Sequence, residues 1–380
     1  MIATLRKNIR NIRGIRIQDK ILVLESDDWG SERAQGKHTI EGLKNLGYQP
    51  EKCVMTMTDC LESDTDLQEL YNVLLSHKDS RGKLAVLTPF FNLTNPDYEI
   101  IKANKYHSYS YLDVLETAKK YSDHDNLNKL YHNGINQGIF IPEYHGREHL
   151  HAQRWLRLLR DGNEHFTNGF DLEYNGFSKS YAPGNYKNVR AAYDLDNDED
   201  LDFMLQSISE GISEFENLFG FKPLSFAPPN GPYPRFGGFE EVMQEMGVKV
   251  LGGPGMQQVP DGKGKITRKH FYTGLKHRLG FIYLLRNGIF EPSMPTRNWV
   301  DYCMEDIQMA FRWKKPAIIS THRNNFTGTI NPANRENGLK QLDELLTRVK
   351  KKWPDVQFMS TRELYATVEK KSIKEVMPNA

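Results

Sequence analysis

The sequence Lys20-Ile-Leu-Val-Leu-Glu-Ser26 is followed directly by Asp27-Asp28-Trp29-Gly30. The first part is a short apolar run without clean alternation, which predicts a strand buried on both faces. The second part places two carboxylates and a glycine where that strand ends, and glycine readily adopts the backbone of a turn. The stretch therefore predicts a buried parallel strand with charged side chains at its carboxyl end.

Short apolar runs of the same kind recur along the chain, at residues 84–91, 138–142, 223–228, 247–251, 288–292, 316–321 and 356–359. Residues 299–313 and 334–353 carry apolar side chains at helical spacing, and a proline follows each stretch. Ser63-x-x-Asp66 and Ser360-x-x-Glu363 are capping boxes that open two further helices. Alternating strands and helices predict an α/β fold with a parallel sheet and right-handed crossovers.

We expect a distorted (β/α) barrel of seven or eight units, with long insertions near residues 30–80, 92–137 and 160–220. Residues 20–370 form its single catalytic domain and residues 371–380 a tail. Residues 1–19 form a basic helical segment with three arginines near one face and three isoleucines near another. We expect this segment to pack on the outside of the barrel, and a nucleic-acid or membrane role is the alternative.

Composition narrows the functional classes. Lys and Arg number 50 against 49 Asp and Glu, so the net charge of +1 gives no global attraction to nucleic acid. The chain has no apolar run of the length, about 18 residues, that a membrane span needs. Its three cysteines do not form a disulfide framework, and the first 20 residues lack the apolar core of a secretory signal. These features predict a cytoplasmic protein and leave its oligomeric state open.

Polar side chains recur at the predicted strand ends. Asp27 and Asp28 end the first strand, His145 and His149 follow the third, Asn230 follows the fourth, and His322 ends the penultimate one. The carboxyl ends of parallel barrel strands form one rim, where barrel enzymes place their active sites. We therefore expect these groups to share one site.

His145-Gly-Arg-Glu-His149 places two imidazoles four residues apart, so on a helix both face one side. Two imidazoles and one carboxylate form a three-ligand metal site that leaves a position open for water, as catalytic sites do. His151 then points elsewhere, and we interpret it as packing or facing substrate. Adjacent carboxylates point in different directions, so one aspartate of the pair is expected to bind the metal and the other to act as a base.

Four of these motifs, in this order, resemble those of the polysaccharide deacetylase family of carbohydrate esterases. The family patterns T-F-D-D-G, H-[S/T]-x-x-H, R-x-P-x-G and an apolar strand ending in histidine are similar here to residues 25–30, 145–149, 227–231 and 318–322. The resemblance implies a barrel of the glycoside hydrolase and deacetylase type with a divalent metal, and zinc is the expected ion. It also implies that Asp28, His145 and His149 bind the metal, that Asp27 is the base, and that His322 is the acid.

The chain departs from the family pattern at several positions. Ala227 stands where the family has an arginine that pairs with the base, Trp29 is inserted before the glycine, and Gly146 replaces Ser or Thr. The acidic motif that steadies the acid is not found. Arg147 and Arg323 are the candidates for the missing arginine, and we favour Arg323 because it follows a strand on the same rim.

The predicted function is that of a metal-dependent hydrolase that removes an N- or O-linked acetyl group from a carbohydrate. Other candidates for binding or orienting the substrate are Asn230 and three aromatic residues that we expect to stack on sugar rings, Trp29, Tyr233 and Trp299, although Trp299 opens an amphipathic helix and fits packing better. One alternative is a glycosidase on a related barrel, whose carboxylate pair would come from Glu143, Glu148 and Glu291. The other is a sugar-binding barrel without catalysis.

Overall fold

The structure is a computed structural model that describes the backbone of residues 2–376 and the side chains of residues 5–371. The described strands are β1 Ile21–Trp29, β2 Leu87–Asn92, β3 Thr94–Pro96, β4 Tyr111–Asp113, β5 Glu143–Gly146, β6 Ser225–Phe226, β7 Val250–Gly253, β8 Met256–Pro260, β9 Ile266–His270, β10 Ile282–Leu285, β11 Gly288–Ile289, β12 Ala317–His322 and β13 Gln357–Phe358.

The helices alternate with these strands over most of the chain. They are α1 Ile2–Ile12, α2 Lys37–Asn45, α3 Val54–Thr58, α4 Asp64–Leu75, α5 Tyr98–Ala103, α6 Val114–Ala118, α7 Leu127–Asn136, α8 Ala152–Arg160, α9 Glu164–Asp171, α10 Glu199–Phe219, α11 Phe239–Glu245, α12 Trp299–Arg312, α13 Pro332–Lys352 and α14 Thr361–Val376, with 3-10 turns at Pro50–Lys52 and Arg323–Phe326. No described helix has the length and apolar character that crossing a bilayer requires.

One curled parallel sheet forms the centre of the molecule. Within the described residues its strand order is β10-β7-β6-β5-β2-β1-β12-β11, and β13 pairs with the start of β1. The first and last strands of this path, β10 and β11, are separated only by Arg286 and Asn287. The Arg286 N–H donates to Gly253 on one side, and the Asn287 N–H donates to Ile318 on the other. The two edges of the sheet therefore meet at this segment, which confirms the α/β barrel predicted from the sequence.

The face of each strand that points into the barrel changes from apolar to polar along its length. On β1, Ile21 and Val23 belong to an interior apolar cluster, and Glu25 and Asp27 follow on the same face. On β12, Ile318 is in that cluster and is followed two residues later by Ser320. Leu364 and Val368 of α14 fill the same cluster. The amino end of the barrel is thus filled by apolar side chains, and the carboxyl end carries the charged groups.

The long insertions build a wall beside this carboxyl end. Their aromatic side chains pack with one another in a second buried cluster that includes Tyr98, Trp155, Phe166, Tyr174 and Phe177. The α1 helix lies against α12, where Lys7 Nζ is 3.1 Å from Asp306. Lys7 is buried at this contact, whereas Ile9 remains 57% exposed.

Several predicted elements are shifted. The run at residues 138–142 makes only an isolated bridge, Leu87 with Phe140, and the strand itself is β5, which begins at Glu143. The strand β10 was not predicted, although residues 281–285 are all apolar or aromatic. The capping box of Ser63 and Asp66 is confirmed at the start of α4.

Candidate functional site

A cavity of about 510 Å³ opens at the carboxyl ends of the barrel strands. The residues that line it include all six polar groups predicted to share the rim, namely Asp27, Asp28, His145, His149, Asn230 and His322. Arg33, Arg286 and Glu291 line the same cavity. The barrel therefore brings together residues that are up to 295 positions apart in the sequence.

The two adjacent aspartates diverge because the end of β1 is irregular. The pairing of β1 with β2 shifts register between Ser26 and Trp29, and Asp28 has a φ of 75°. Positive φ is uncommon outside glycine, although Asp adopts it more readily than most residues. The irregularity directs Asp28 to the two histidines, whereas Asp27 keeps the inward direction of β1.

His145 and His149 converge without a helix. His145 lies on β5, and His149 lies in the bend that precedes α8. The prediction that both imidazoles lie on one helical face is wrong, because β5 continues through Gly146 and the chain bends at Arg147 and His149 before α8 begins. The two rings nevertheless have centroids 5.2 Å apart.

Asp28, His145 and His149 form a group that fits a metal ion. Oδ1 of Asp28 lies 2.9 Å from Nε2 of His149 and 3.4 Å from Nε2 of His145. The possible ligand atoms all lie within 4.8 Å of one another. One ion with bonds of about 2.0–2.2 Å spans both separations from Asp28. Nδ1 of His145 donates to the Ala227 carbonyl at 2.6 Å, which leaves Nε2 unprotonated and facing Asp28.

The protonation states of this group suit a metal ligand set. Burial, reinforced by the charge of Arg190, lowers the pKa of His149 to about 4, so its imidazole is neutral at pH 7. Burial opposes the ionisation of Asp28, but its close contacts with His149 and His145 hold its pKa well below the ordinary value. The neutral imidazole of His149 and the carboxylate of Asp28 therefore face the cavity together with the imidazole of His145.

Arg286 holds Asp27 from the segment that closes the barrel. Its Nη1 and Nη2 donate to Oδ2 and Oδ1 of Asp27 at 2.5 and 2.8 Å. Its Nε donates to Oε2 of Glu25 at 2.6 Å. Burial raises the pKa of Asp27, but the charge of Arg286 outweighs it and the pKa lies below its ordinary value. Arg286 thus makes the contact with Asp27 that the family resemblance implies for an arginine at the position of Ala227.

The prediction that Arg323 orients Asp27 is wrong. Arg323 lies in the 3-10 turn after β12, and its fully buried guanidinium donates to Asp59 at 2.7 Å and to Glu62 at 2.8 Å. Glu62 in turn accepts from the backbone N–H of Gly30. Arg323 therefore holds the loops that surround the site and does not contact Asp27.

His322 ends β12 opposite Asp27 and pairs with Glu291. The His322 Nδ1–H donates to Oε1 of Glu291 at 2.7 Å, and Oε2 of that carboxylate accepts from Asn325. Burial lowers the pKa of His322, but Glu291 raises it to about 10. The acidic partner that no sequence motif identified is therefore Glu291, and His322 is a cation at pH 7.

Two predicted substrate contacts lie away from the cavity. Trp29 is 1% exposed, and its ring packs against Phe91 and Phe140 behind the sheet. Arg147 is 2% exposed and donates to Glu148 and Glu210. The prediction that they bind or orient substrate is wrong, because both side chains point outward into the helical layer.

Asn230 and Tyr233 do line the cavity. Asn230 has a φ of 54° after two prolines, and the Tyr233 ring stacks on Phe239. Trp299 is 7% exposed and donates to the carbonyl of Met294, so it packs at the start of α12.

The carboxylates named for a glycosidase are mostly engaged elsewhere. Glu143 accepts from the backbone of Leu224 and Ser225, and Glu148 binds Arg147. Neither lines the cavity, whereas Glu291 does.

His151 belongs to a different cluster. It lies within 4.8 Å of Asp196 and Asp200, a second group with possible metal ligands. However, Arg154 and Arg157 already bind these carboxylates at 2.6–3.0 Å. Asp196 and Asp200 are therefore part of an ion-pair cluster with these arginines.

Substitution of each proposed ligand provides a test of the metal site. In purified protein, Asp28→Ala, His145→Ala and His149→Ala are each expected to lower the zinc affinity. The loss should exceed the factor of about 10 to 100 that is typical when a group that only orients a ligand is removed. His151→Ala is the matched control, because it removes a buried histidine from the cluster already neutralised by arginine. Loss of metal in His151→Ala with full retention in His149→Ala would contradict the assignment.

Comparison with known proteins gives no sequence-level relative. No family model matches the chain, and no curated protein matches it. Solved structures with a similar course of the chain include a 4-alpha-glucanotransferase from Thermococcus litoralis, with 10% identity and a TM-score of 0.43 over 92% of this chain. The chain spans only 40% of that enzyme.

Two further similar structures cover both chains almost fully. An allantoinase has 11% identity and a TM-score of 0.42 over 96% of this chain and 93% of its own. A peptidoglycan deacetylase from Bacillus subtilis has 10% identity and a TM-score of 0.34 over 95% of this chain and 96% of its own. Similarity at this level does not assign an activity to the chain.

Proposed function

We propose that the protein is a metal-dependent hydrolase that removes an N- or O-linked acetyl group from a carbohydrate. One observation carries the proposal. A single cavity contains a three-ligand group able to hold a metal, an ionised carboxylate and a protonated imidazole. Together these groups can activate water, accept its proton and protonate the leaving group in acyl transfer to water.

Asp28, His145 and His149 would hold the ion, and their mixed imidazole and carboxylate set favours zinc. A divalent ion bound there supplies Lewis acidity toward the acyl oxygen and toward water. The fixed tautomer of His145 and the neutral state of His149 keep the two imidazoles ready to bind.

Asp27 is placed to accept the proton of the attacking water. Its low pKa keeps it ionised at neutral pH, and the two parallel bonds from Arg286 fix the plane of its carboxylate. Each carboxylate oxygen retains a second lone pair for that proton. Arg286 therefore positions the base without blocking it.

His322 is placed to protonate the leaving amine or alkoxide. Glu291 binds Nδ1 and leaves Nε2 with its proton for the substrate. The remaining wall of the cavity combines aromatic rings with side-chain amides, from residues that include Tyr233, Phe271, Tyr283, Asn230 and Gln258. Aromatic faces with a few polar groups are suited to binding a sugar ring.

Acetate release from a panel of acetylated mono- and oligosaccharides tests the proposal. We expect zinc-loaded protein to release acetate from at least one N- or O-acetylated sugar without cleaving a glycosidic bond. Release of reducing ends without acetate would favour the glycosidase, and saturable sugar binding without either product would favour a binding protein. Both outcomes would overturn the proposal.

The pairing of His322 with Glu291 sets the pH dependence. Because the acid must be protonated, activity is expected to persist to a pH well above 6.5, the ordinary histidine pKa, and to fall as the pH rises through the raised pKa of His322. Glu291→Gln removes the charge that raises this pKa. In this variant, the fall of kcat/KM at alkaline pH should occur more than about one pH unit lower than in the native protein. Glu305→Gln, at an exposed glutamate, is the control, and an unchanged position of this fall in Glu291→Gln would contradict the role of Glu291.

A further inference from the structure

Arg33 lies in the cavity wall with part of its guanidinium unused. It is 9% exposed and follows β1 by four residues. Its Nε donates to Oδ2 of Asp59 at 2.8 Å, and the terminal nitrogens make no hydrogen bond to any described residue. A buried guanidinium normally satisfies more of its donors. The free terminal nitrogens of Arg33 are thus available to a molecule in the cavity.

The surroundings of Arg33 hold it in place. A Cβ built on Gly176 would lie 2.6 Å from Cγ of Arg33, so the absence of a side chain at Gly176 makes room for the arginine stem. Asp59, which binds Nε, is itself held by Arg323 at 2.7 Å. The stem and Nε are therefore fixed on two sides, and the terminal nitrogens remain to face the cavity.

The charges that line the cavity balance before any ion binds. Asp27, Asp28 and Glu291 are the carboxylates, and Arg33, Arg286 and His322 are the cations. Arg286 is engaged with Asp27 and Glu25, and His322 with Glu291. A divalent ion at Asp28 would add positive charge to the cavity, which makes an anionic ligand more favourable there.

The rim of the cavity adds positive charge. The hairpin of β8 and β9 contributes Gln257 and Gln258 to the cavity wall. Their partners in register on β9 are Lys269 and Arg268, both exposed and without an ion pair to any described residue. A field of this sign at the entrance attracts anions, although the whole chain carries a net charge of only +1.

We propose that Arg33 binds a carboxylate of the substrate, so that the cavity selects an acidic saccharide over its neutral counterpart. The planar fork of a guanidinium matches a carboxylate, and Arg33 has the two terminal nitrogens free for that contact. The inference rests on the proposed function, because it assumes that a carbohydrate occupies the cavity.

Equilibrium binding of two matched sugars tests this inference without turnover. N-acetylglucosamine and N-acetylglucosaminuronate differ only in a hydroxymethyl group against a carboxylate. Calorimetry on zinc-loaded protein, in an Asp27→Asn background that prevents hydrolysis, is expected to show at least about tenfold tighter binding of the acidic sugar, the scale of one charge-assisted contact. Arg33→Gln should abolish that preference and change the affinity for the neutral sugar less than about twofold, a bound we set well below one such contact.

Three further variants make the result specific. Arg33→Lys should retain part of the preference, because it keeps the charge and loses the fork. Gly176→Ala should reduce the preference by displacing the arginine stem, and it provides a second route if Arg33→Gln fails to fold. Arg335→Gln is the control, because Arg335 binds Asp66 away from the cavity and should leave the preference unchanged.

Equal binding of the two sugars by protein with native Arg33 would overturn the inference, and so would equal loss of both sugars in Arg33→Gln. Preference for the acidic sugar without hydrolysis of any acetylated sugar would support Arg33 while refuting the deacetylase. Acetate release without such a preference would support the deacetylase and refute the role of Arg33.

Discussion

Replacing Asp27 by asparagine is expected to lower kcat by about 10²- to 10⁴-fold, the usual contribution of a positioned general base. The amide is nearly isosteric but cannot take the proton of the attacking water. Asp27 lines the same cavity as the proposed metal ligands. Within that ligand group it is Asp28, and not Asp27, that contacts His149. Zinc content should therefore remain that of the native protein.

Acetate release with metal analysis on the same samples measures this effect. Asp306→Asn is a useful control, because Asp306 is a buried carboxylate that binds Lys7 outside the barrel. Full activity in Asp27→Asn would refute its role as the base. Loss of zinc in that variant would instead place Asp27 among the ligands.

Arg286→Met is expected to have the largest effect on stability. Removing the guanidinium leaves the carboxylates of Glu25 and Asp27 buried, with exposures of 1% and 7%, and without their common partner. Breaking a buried ion pair from one side typically costs about 3–5 kcal/mol in the free energy of unfolding. Chemical denaturation of the two proteins measures the difference.

Arg348→Met is the matched control for this stability effect. Arg348 also binds two carboxylates, Asp301 and Glu344, but its side chain is 38% exposed. Its loss should cost at most about 1 kcal/mol, as for surface pairs. Equal destabilisation by the two substitutions would contradict the role of Arg286 as a buried cation shared by two carboxylates of β1.

Arg286 also positions the base, and Arg286→Lys tests that role in folded protein. Lysine keeps the charge but loses the parallel bonds to Asp27. We expect lower kcat, unchanged zinc content and a non-additive effect when it is combined with Asp27→Asn. Independent, additive losses would show that Arg286 does not act through Asp27.

The sequence was sufficient to predict the groups that follow strands. Asp27, Asp28, His145 and His322 stand at or near the ends of apolar runs, and parallel strands bring such ends together. The barrel itself could be predicted for the same reason. The local path after His145 could not be predicted, because the extension of β5 through Gly146 and the bends that follow it override the helical spacing of the two imidazoles.

The partners of these groups were harder to predict. Arg286 and Asp27 are 259 residues apart and meet only because the chain closes the sheet at Arg286. One signal was present in the sequence. Along one face of β10, the side chains change from apolar at Ile282 and Leu284 to charged at Arg286, which directly follows the strand. The same change occurs on β1 from Val23 to Glu25 and Asp27. The strand β10 was not predicted from the sequence, so this signal was missed. Arg323 was chosen by its position after a strand, and its outward direction depends on a 3-10 turn that spacing does not predict.

Zinc titration of chelator-treated protein tests most directly whether Asp28, His145 and His149 hold a catalytic metal in a carbohydrate deacetylase. Bound zinc and acetate release are followed together. We expect no acetate release without zinc, a rate of release that rises linearly with bound zinc and saturates at one ion per chain, and neither tight zinc binding nor activity in His149→Ala. Acetate release that is unchanged by removal of the metal, or that saturates equally in His149→Ala, would contradict this assignment.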